Sequence, residues 1–221
     1  MPTFRSFFAL ALLSSVVFAS CADPGGAYDD FVTRCEESDN CKVQVVEDSG
    51  TGDAGPCVVP AAGELDGDYV FSLSASVKPE APLLFATKVT TADGADGLEM
   101  NWTLTPLDAK DRSTEIPPSI ELPTMKIGAD GSFDVNPDPL DVTGQANPIS
   151  GSNITADISS LRGTVCNLDG FYCGLLDAAV TKPIPLDLKN SNWTLTKLTS
   201  PGVYPEPTIN CAKKPAGPPP T

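Results

Sequence analysis

The chain has 221 residues, a formal charge of −15 and no histidine. So acidic a balance works against nucleic acid and anionic lipid headgroups as partners. The missing histidine removes the usual general base near neutral pH and the commonest metal ligand. Its 22 prolines are about twice the average usage, as in a loop-rich β protein.

Residues 1–20 read as an export signal. Arg5 is the only charge, Phe7 to Phe18 is apolar except for Ser14 and Ser15, and the small residues Ala19 and Ser20 precede Cys21. A charged start, a short apolar run and a small-residue exit make a secretory signal peptide. The run falls short of the ~20 apolar residues that cross a bilayer. Phe18-Ala19-Ser20-Cys21 resembles the bacterial lipobox, matching at Ala19, Ser20 and Cys21 and departing at Phe18, where Leu, Val or Ile is usual. That resemblance implies cleavage before Cys21 and a diacylglycerol on its sulfur. Cleavage after Ala19 is the competing reading, since Val17-Phe18-Ala19 fits the small-x-small rule. Seven cysteines are an odd count, and giving Cys21 to lipid leaves an even six. More than one acyl chain holds a protein firmly to a bilayer where a single chain does not. Ala22 stands where an Asp retains enteric lipoproteins on the inner membrane, so the expected location is an anchor in the outer membrane.

Residues 21–56 are acidic and glycine-rich, with a short helical segment expected within Tyr28 to Cys41. They read as a lipidated tether. From Glu64 onward the period is two. Tyr69, Phe71, Leu73, Ala75 and Val77 alternate with serines; Leu98, Met100, Trp102 and Leu104 alternate with polar residues; so do Ile154, Ala156 and Ile158. Such alternation predicts strands with one buried and one wet face. Further strands are expected over 83–90, 120–127, 132–135, 140–143, 171–180 and 193–198. Asp-Gly pairs at 66–67, 93–94, 96–97, 130–131 and 169–170 supply turn chemistry between them. The expectation is an all-β domain over 57–211, an antiparallel barrel or two-sheet sandwich of eight to ten short strands, and a Pro-rich disordered tail over 212–221.

Two resemblances bear on this domain. Leu65-Asp66-Gly67-Asp68-Tyr69 resembles the Gly-x-Trp opening of lipocalin-type barrels, with Tyr69 in place of the tryptophan. Pro106-Leu107-Asp108 leading to Asp111-Arg112, the phrase Ala146 to Ser152 followed by Ile154 and Ala156, and Cys173-Gly174 are together similar to a group of exported lipoproteins of myxobacteria and their relatives. This second likeness spans roughly residues 60 to 200. It implies the same exported β domain and brings no activity or site residues.

The six cysteines left after Cys21 are Cys35, Cys41, Cys57, Cys166, Cys173 and Cys211. No Cys-x-x-Cys and no histidine are present for a zinc site, so disulfides are expected. Proximity in sequence suggests Cys35–Cys41, Cys166–Cys173 across the Asp169-Gly170 turn, and Cys57–Cys211 cinching the domain ends. For chemistry there is no Gly-x-Ser-x-Gly elbow and no base to activate a nucleophile. Asp66, Asp68, Asp93, Asp96 and Glu99 cluster oxygen on turns but follow no calcium-loop pattern, so neither metal nor cofactor is expected. The sequence therefore predicts a non-enzymatic interaction or structural lipoprotein of the cell envelope, meeting the membrane through its anchor and an envelope protein through its loops or an exposed sheet edge. The alternative is a barrel carrying a small apolar ligand or lipid on inward-facing Tyr69, Phe71, Trp102 and Trp193. A filled interior favours the first reading, a roomy one the second.

Overall fold

The computed structural model describes residues 57–137 and 139–220. The signal, the tether, Cys21, Cys35 and Cys41 lie outside them. The described chain is all-β: β1 (Gly67–Ser74), β2 (Leu83–Gly94), β3 (Gly97–Pro106), β4 (Ile120–Glu121), β5 (Met125–Lys126), β6 (Ser132–Val135), β7 (Leu140–Val142), β8 (Ile154–Thr164), β9 (Phe171–Lys182), β10 (Leu186–Asp187) and β11 (Ser191–Lys197). One 3-10 turn, Gly144–Ala146, interrupts them. All pairings are antiparallel, in the order β4-β3-β2-β1-β11-β9-β8-β6, with β5 on β3, β7 on β8 and β10 on β9. The sheet curls into a half-barrel. The architecture is therefore one curled sheet rather than a two-sheet sandwich, and three of its eleven strands have only two residues.

The alternation works as expected on β3, where Leu98, Met100, Trp102 and Leu104 are buried and their neighbours are not. The predicted strand over 120–127 is split. Pro123 has no N–H to give a ladder, and pairing with β3 resumes on either side of it, Leu122 N–H donating to Trp102 O at 3.0 Å and Ile127 N–H to Leu98 O at 2.9 Å. On β1 the expected wet face is dry. Ser72 and Ser74 are 1% and 0% exposed, because the chain after β11 returns over that side of the sheet. There Val70, Leu84 and Leu107 form a second small cluster with Leu198 and Tyr204.

Turn glycines carry the left-handed backbone where it is needed. β2 and β3 are joined by two residues, with Gly94 paired to Gly97, and Gly131 has φ +79. A Cβ on Gly131 would meet Cys57 Sγ at 2.8 Å, Val165 O at 2.9 Å and Cys166 Sγ at 3.0 Å. The Asp-Gly turn is thus also the seat of a disulfide.

The disulfide pairing differs from the expectation. Cys57 bonds Cys166 and Cys173 bonds Cys211, with Cα separations of 5.0 and 5.4 Å. The β8–β9 register sets Gly163 opposite Gly174. Cys173 therefore lies inside the ladder, while Cys166 lies beyond the end of β8. One end of the domain is pinned to the β8–β9 connection and the other to β9, instead of to each other. Part of the expected tail is anchored to the domain. Ala216 N–H donates to Pro207 O, Gly217 N–H donates to Glu80 O (both 2.8 Å), and Thr208 bridges Pro215. A proline-rich composition hid these few anchoring contacts.

The loop after β3 is closed by Asp111, whose carboxylate accepts from Ser113 N–H, Thr114 N–H and the Thr114 hydroxyl. The hydroxyl foremost, then the two amides, hold its pKa down to about 2. A carboxyl depressed in the folded state stabilises above its unfolded value and loses that contribution as pH falls through the folded one. The clamp is therefore expected to release between about pH 4 and about pH 2. The Asp111 carboxyl carbon shift, followed by NMR, checks this; an inflection near 4 contradicts it.

Candidate functional site

The interior is filled by its own aromatic rings. Phe71, Phe85, Trp102, Phe133 and Trp193 form a connected cluster with ring centroids 5.5 to 6.1 Å apart, and Trp102 meets Trp193 edge-on at 5.6 Å. Tyr69, Phe71, Trp102 and Trp193, the four proposed ligand contacts, all face this interior and are at most 2% exposed. Tyr69 packs on Tyr172, with its hydroxyl donating to Leu65 O at 2.7 Å. Burial pushes the Tyr69 phenol far above its ordinary value and Tyr172 up to about 12. The structure puts all four in one core, with Phe71, Trp102 and Trp193 packed against one another and Tyr69 against Tyr172.

Two tryptophans from repeated Asn-Trp-Thr-Leu-Thr segments are not equivalent. Trp193 Nε1 donates to Arg162 O at 3.0 Å, while Trp102 Nε1 is buried without a partner. Phenylalanine removes a satisfied bond at one site and an orphaned donor at the other. Trp193→Phe is expected to cost about 1 kcal/mol more than Trp102→Phe in urea unfolding. Equal costs would contradict the assignment of that bond.

The outer surface offers the polar chemistry. A trough of about 640 Å³ runs over β6, β8 and β9. Asp96, Lys126, Asp134, Arg162, Thr164 and Leu175 line it. Arg162 Nη1 donates to Asp177 Oδ2 at 2.7 Å and to Ser160 Oγ at 3.1 Å, and Ser160 donates to Asp134 Oδ1 at 2.8 Å. At the rim Lys126 Nζ meets Asp96 Oδ2 at 2.8 Å, with both side chains exposed. The Asn190 N–H and then Arg162 hold the Asp177 carboxyl below its usual range. A hydrogen bond from Lys126 does the same for Asp96. Charges of both signs thus line the trough.

What this arrangement can do is present fixed charges and hydrogen-bond donors. Among the described residues the displaced carboxyls, Asp96, Asp108, Asp111, Asp130 and Asp177, all move down, and the displaced tyrosines, Tyr69, Tyr172 and Tyr204, all move up. Both directions lead away from the neutral range in which a general acid or base works best. Asp66 is used internally, accepting from Thr91 N–H at 2.7 Å and Thr91 Oγ1 at 2.8 Å. Among the described residues no three Cys, Asp or Glu side chains gather closely enough to hold a metal ion.

No local motif announces the trough: Asp134, Arg162 and Asp177, the ion-pair partner of Arg162, come from three strands. The one available signal was their common outward parity on β6, β8 and β9. The two disulfides fit an oxidising, exported environment. Among the described residues no helix is long and apolar enough to cross a membrane. Comparison with models of known families, with curated proteins and with solved structures finds no match to this chain.

Proposed function

We propose that the protein is an envelope lipoprotein, anchored through Cys21 in the outer membrane, whose β domain is a non-enzymatic interaction module. The observation that carries this reading is the packed interior. Tyr69, Phe71, Trp102 and Trp193 fill the space that a carried ligand needs, which weighs against the carrier alternative. Recognition then falls to the outside, and the charge-patterned trough around Asp134 and Arg162 is the surface best suited to a protein partner with complementary charges. The anchor rests on the Ala19-Ser20-Cys21 signal and on the exported setting that the disulfides fit. The likeness to myxobacterial exported lipoproteins points the same way.

Two measurements test the two halves. Labelled palmitate should enter the wild-type protein and not Cys21→Ala; a product beginning at Ser20 without label removes the anchor. Native mass spectrometry of the protein extracted from its host should show a bound protein, weakened by Asp134→Lys. A retained lipid-sized mass instead would restore the carrier.

A further inference from the structure

The segment Tyr204–Gly217 lies over the outer face of β1, β11 and β9 without joining the sheet. β11 ends at Lys197, and the one bridge in the segment, Thr208 with Pro215, is internal to it. Its amide bonds from Ile209 to Lys214, from Lys213 to Asn210 and from Ala216 to Pro207 also stay within it. Among the described residues only Gly217 N–H, donating to Glu80 O, ties its backbone to backbone elsewhere. Side chains supply further noncovalent ties: the Thr208 hydroxyl donates to Thr194 Oγ1 at 3.2 Å, Lys213 Nζ lies 4.6 Å over the Phe171 ring, and Tyr204 packs on the Val70 cluster. Thr194 Oγ1 donates to Thr208 O at 3.0 Å, Arg112 Nη2 to Gly217 O at 2.6 Å, and the Tyr204 hydroxyl to Glu115 Oε1 at 2.9 Å. The covalent tie is Cys173–Cys211.

The face beneath is unusual for a permanent interface. Ser72 and Ser74 are fully buried, and neither hydroxyl has a hydrogen-bond partner. A buried donor left unpaired is a cost that water removes once the group is uncovered. Lifting the segment exposes Val70, Leu84, Pro207 and Ile209, but it also rehydrates two hydroxyls and breaks no strand pairing. Rehydrating the two hydroxyls offsets part of that cost, and Cys173–Cys211 adds the one covalent tie between the segment and the sheet.

We propose that Cys173–Cys211 is a redox latch, opened by a dithiol reductant, and that the segment then lifts as a unit to uncover the outer face of β1 and β11. A thiolate of the reductant attacks one sulfur of the pair, giving a mixed disulfide and releasing the other cysteine as thiolate. The second thiol of the reductant then displaces the protein sulfur. Two electrons and two protons pass to Cys173 and Cys211, and the dithiol becomes a disulfide. Both cysteines are partly exposed, so the bond can be reached. Cys57–Cys166 lies just beyond the same end of β8, against Gly131, and holds no part of the segment.

The test is hydrogen exchange on the full chain under graded dithiothreitol, with alkylation and peptide mapping to report each bond. A Cys173→Ser/Cys211→Ser variant that keeps Cys57–Cys166 is measured without reductant. Once Cys173–Cys211 opens, exchange at the Ile209, Ala216 and Gly217 amides should rise roughly tenfold or more, as in a local opening. Amides of β1 and β11 should keep their protection. Anilinonaphthalene sulfonate should bind the uncovered face and be expelled on reoxidation, and the variant should behave as the reduced protein does. Unchanged protection of the segment after reduction overturns the proposal. So does collapse of β1 and β11 together with it, or failure of the variant to fold, either of which makes the segment part of the core.

Discussion

Replacing Gly174 with alanine is expected to destabilise the domain by about 3 kcal/mol, read as a lower urea midpoint at unchanged slope. The cause is local crowding on three adjacent strands. Trp193 on β11 pairs with Gly174 on β9, which pairs with Gly163 on β8. The indole lies flat across both glycines. A Cβ on Gly174 would meet Trp193 Cε2 and Cζ2 at 2.8 Å and collide with the Arg162 carbonyl oxygen. That oxygen is the acceptor for Trp193 Nε1, so neither obstacle can move without breaking the bond between them. Gly163→Ala places its new carbon on Trp193 Cζ2 as well and should cost a similar amount. A loss under about 1 kcal/mol at both sites would mean that the sheet yields more easily than a close-packed core does.

Replacing Cys57 and Cys166 together with serine is expected to cost about 4 kcal/mol. The bond spans 109 residues, and the chain-entropy model credits a closure near that length with about 4.7 kcal/mol, usually less in practice. The 38-residue span of Cys173–Cys211 is credited with about 1 kcal/mol less on the same basis. Paired urea curves for the two double-serine variants measure both. The order reverses only if native strain or structure in the unfolded chain outweighs loop length. Because Cys57 precedes every strand, a small effect of its removal would show that the entry of the chain is held by its noncovalent contacts, the 3.0 Å bond from Asn167 N–H to Val58 O and the packing of Val59 and Ala62 on the core.

Strands with one dry and one wet face were legible because their pattern is local. β3 and β6 lie where the alternation places them, β6 to the residue. Legibility failed where a distant segment changed the environment. Ser72 and Ser74 read as solvent-facing, and only the return of the chain near Thr208 buries them. The disulfides failed for a related reason, since nearness in sequence carries no register: Cys173 lies inside the β9 ladder and Cys166 beyond the end of β8. The tryptophans were correctly placed inside. Whether an inward aromatic lines a cavity or fills one depends on what Phe85 and Phe133 do from other strands. Asp134, Arg162 and Asp177 form a row only after folding.

A curled sheet that stops short of closure keeps two lateral borders, and borders of this kind invite neighbouring molecules to add strands. Here one border is chopped into two-residue pieces by Leu122-Pro123-Thr124, and the other runs for four residues before Asn136-Pro137. Neither offers a continuous row of free amides long enough to template stacking. A domain crowded among many copies of itself therefore has built-in resistance to polymerising edge to edge.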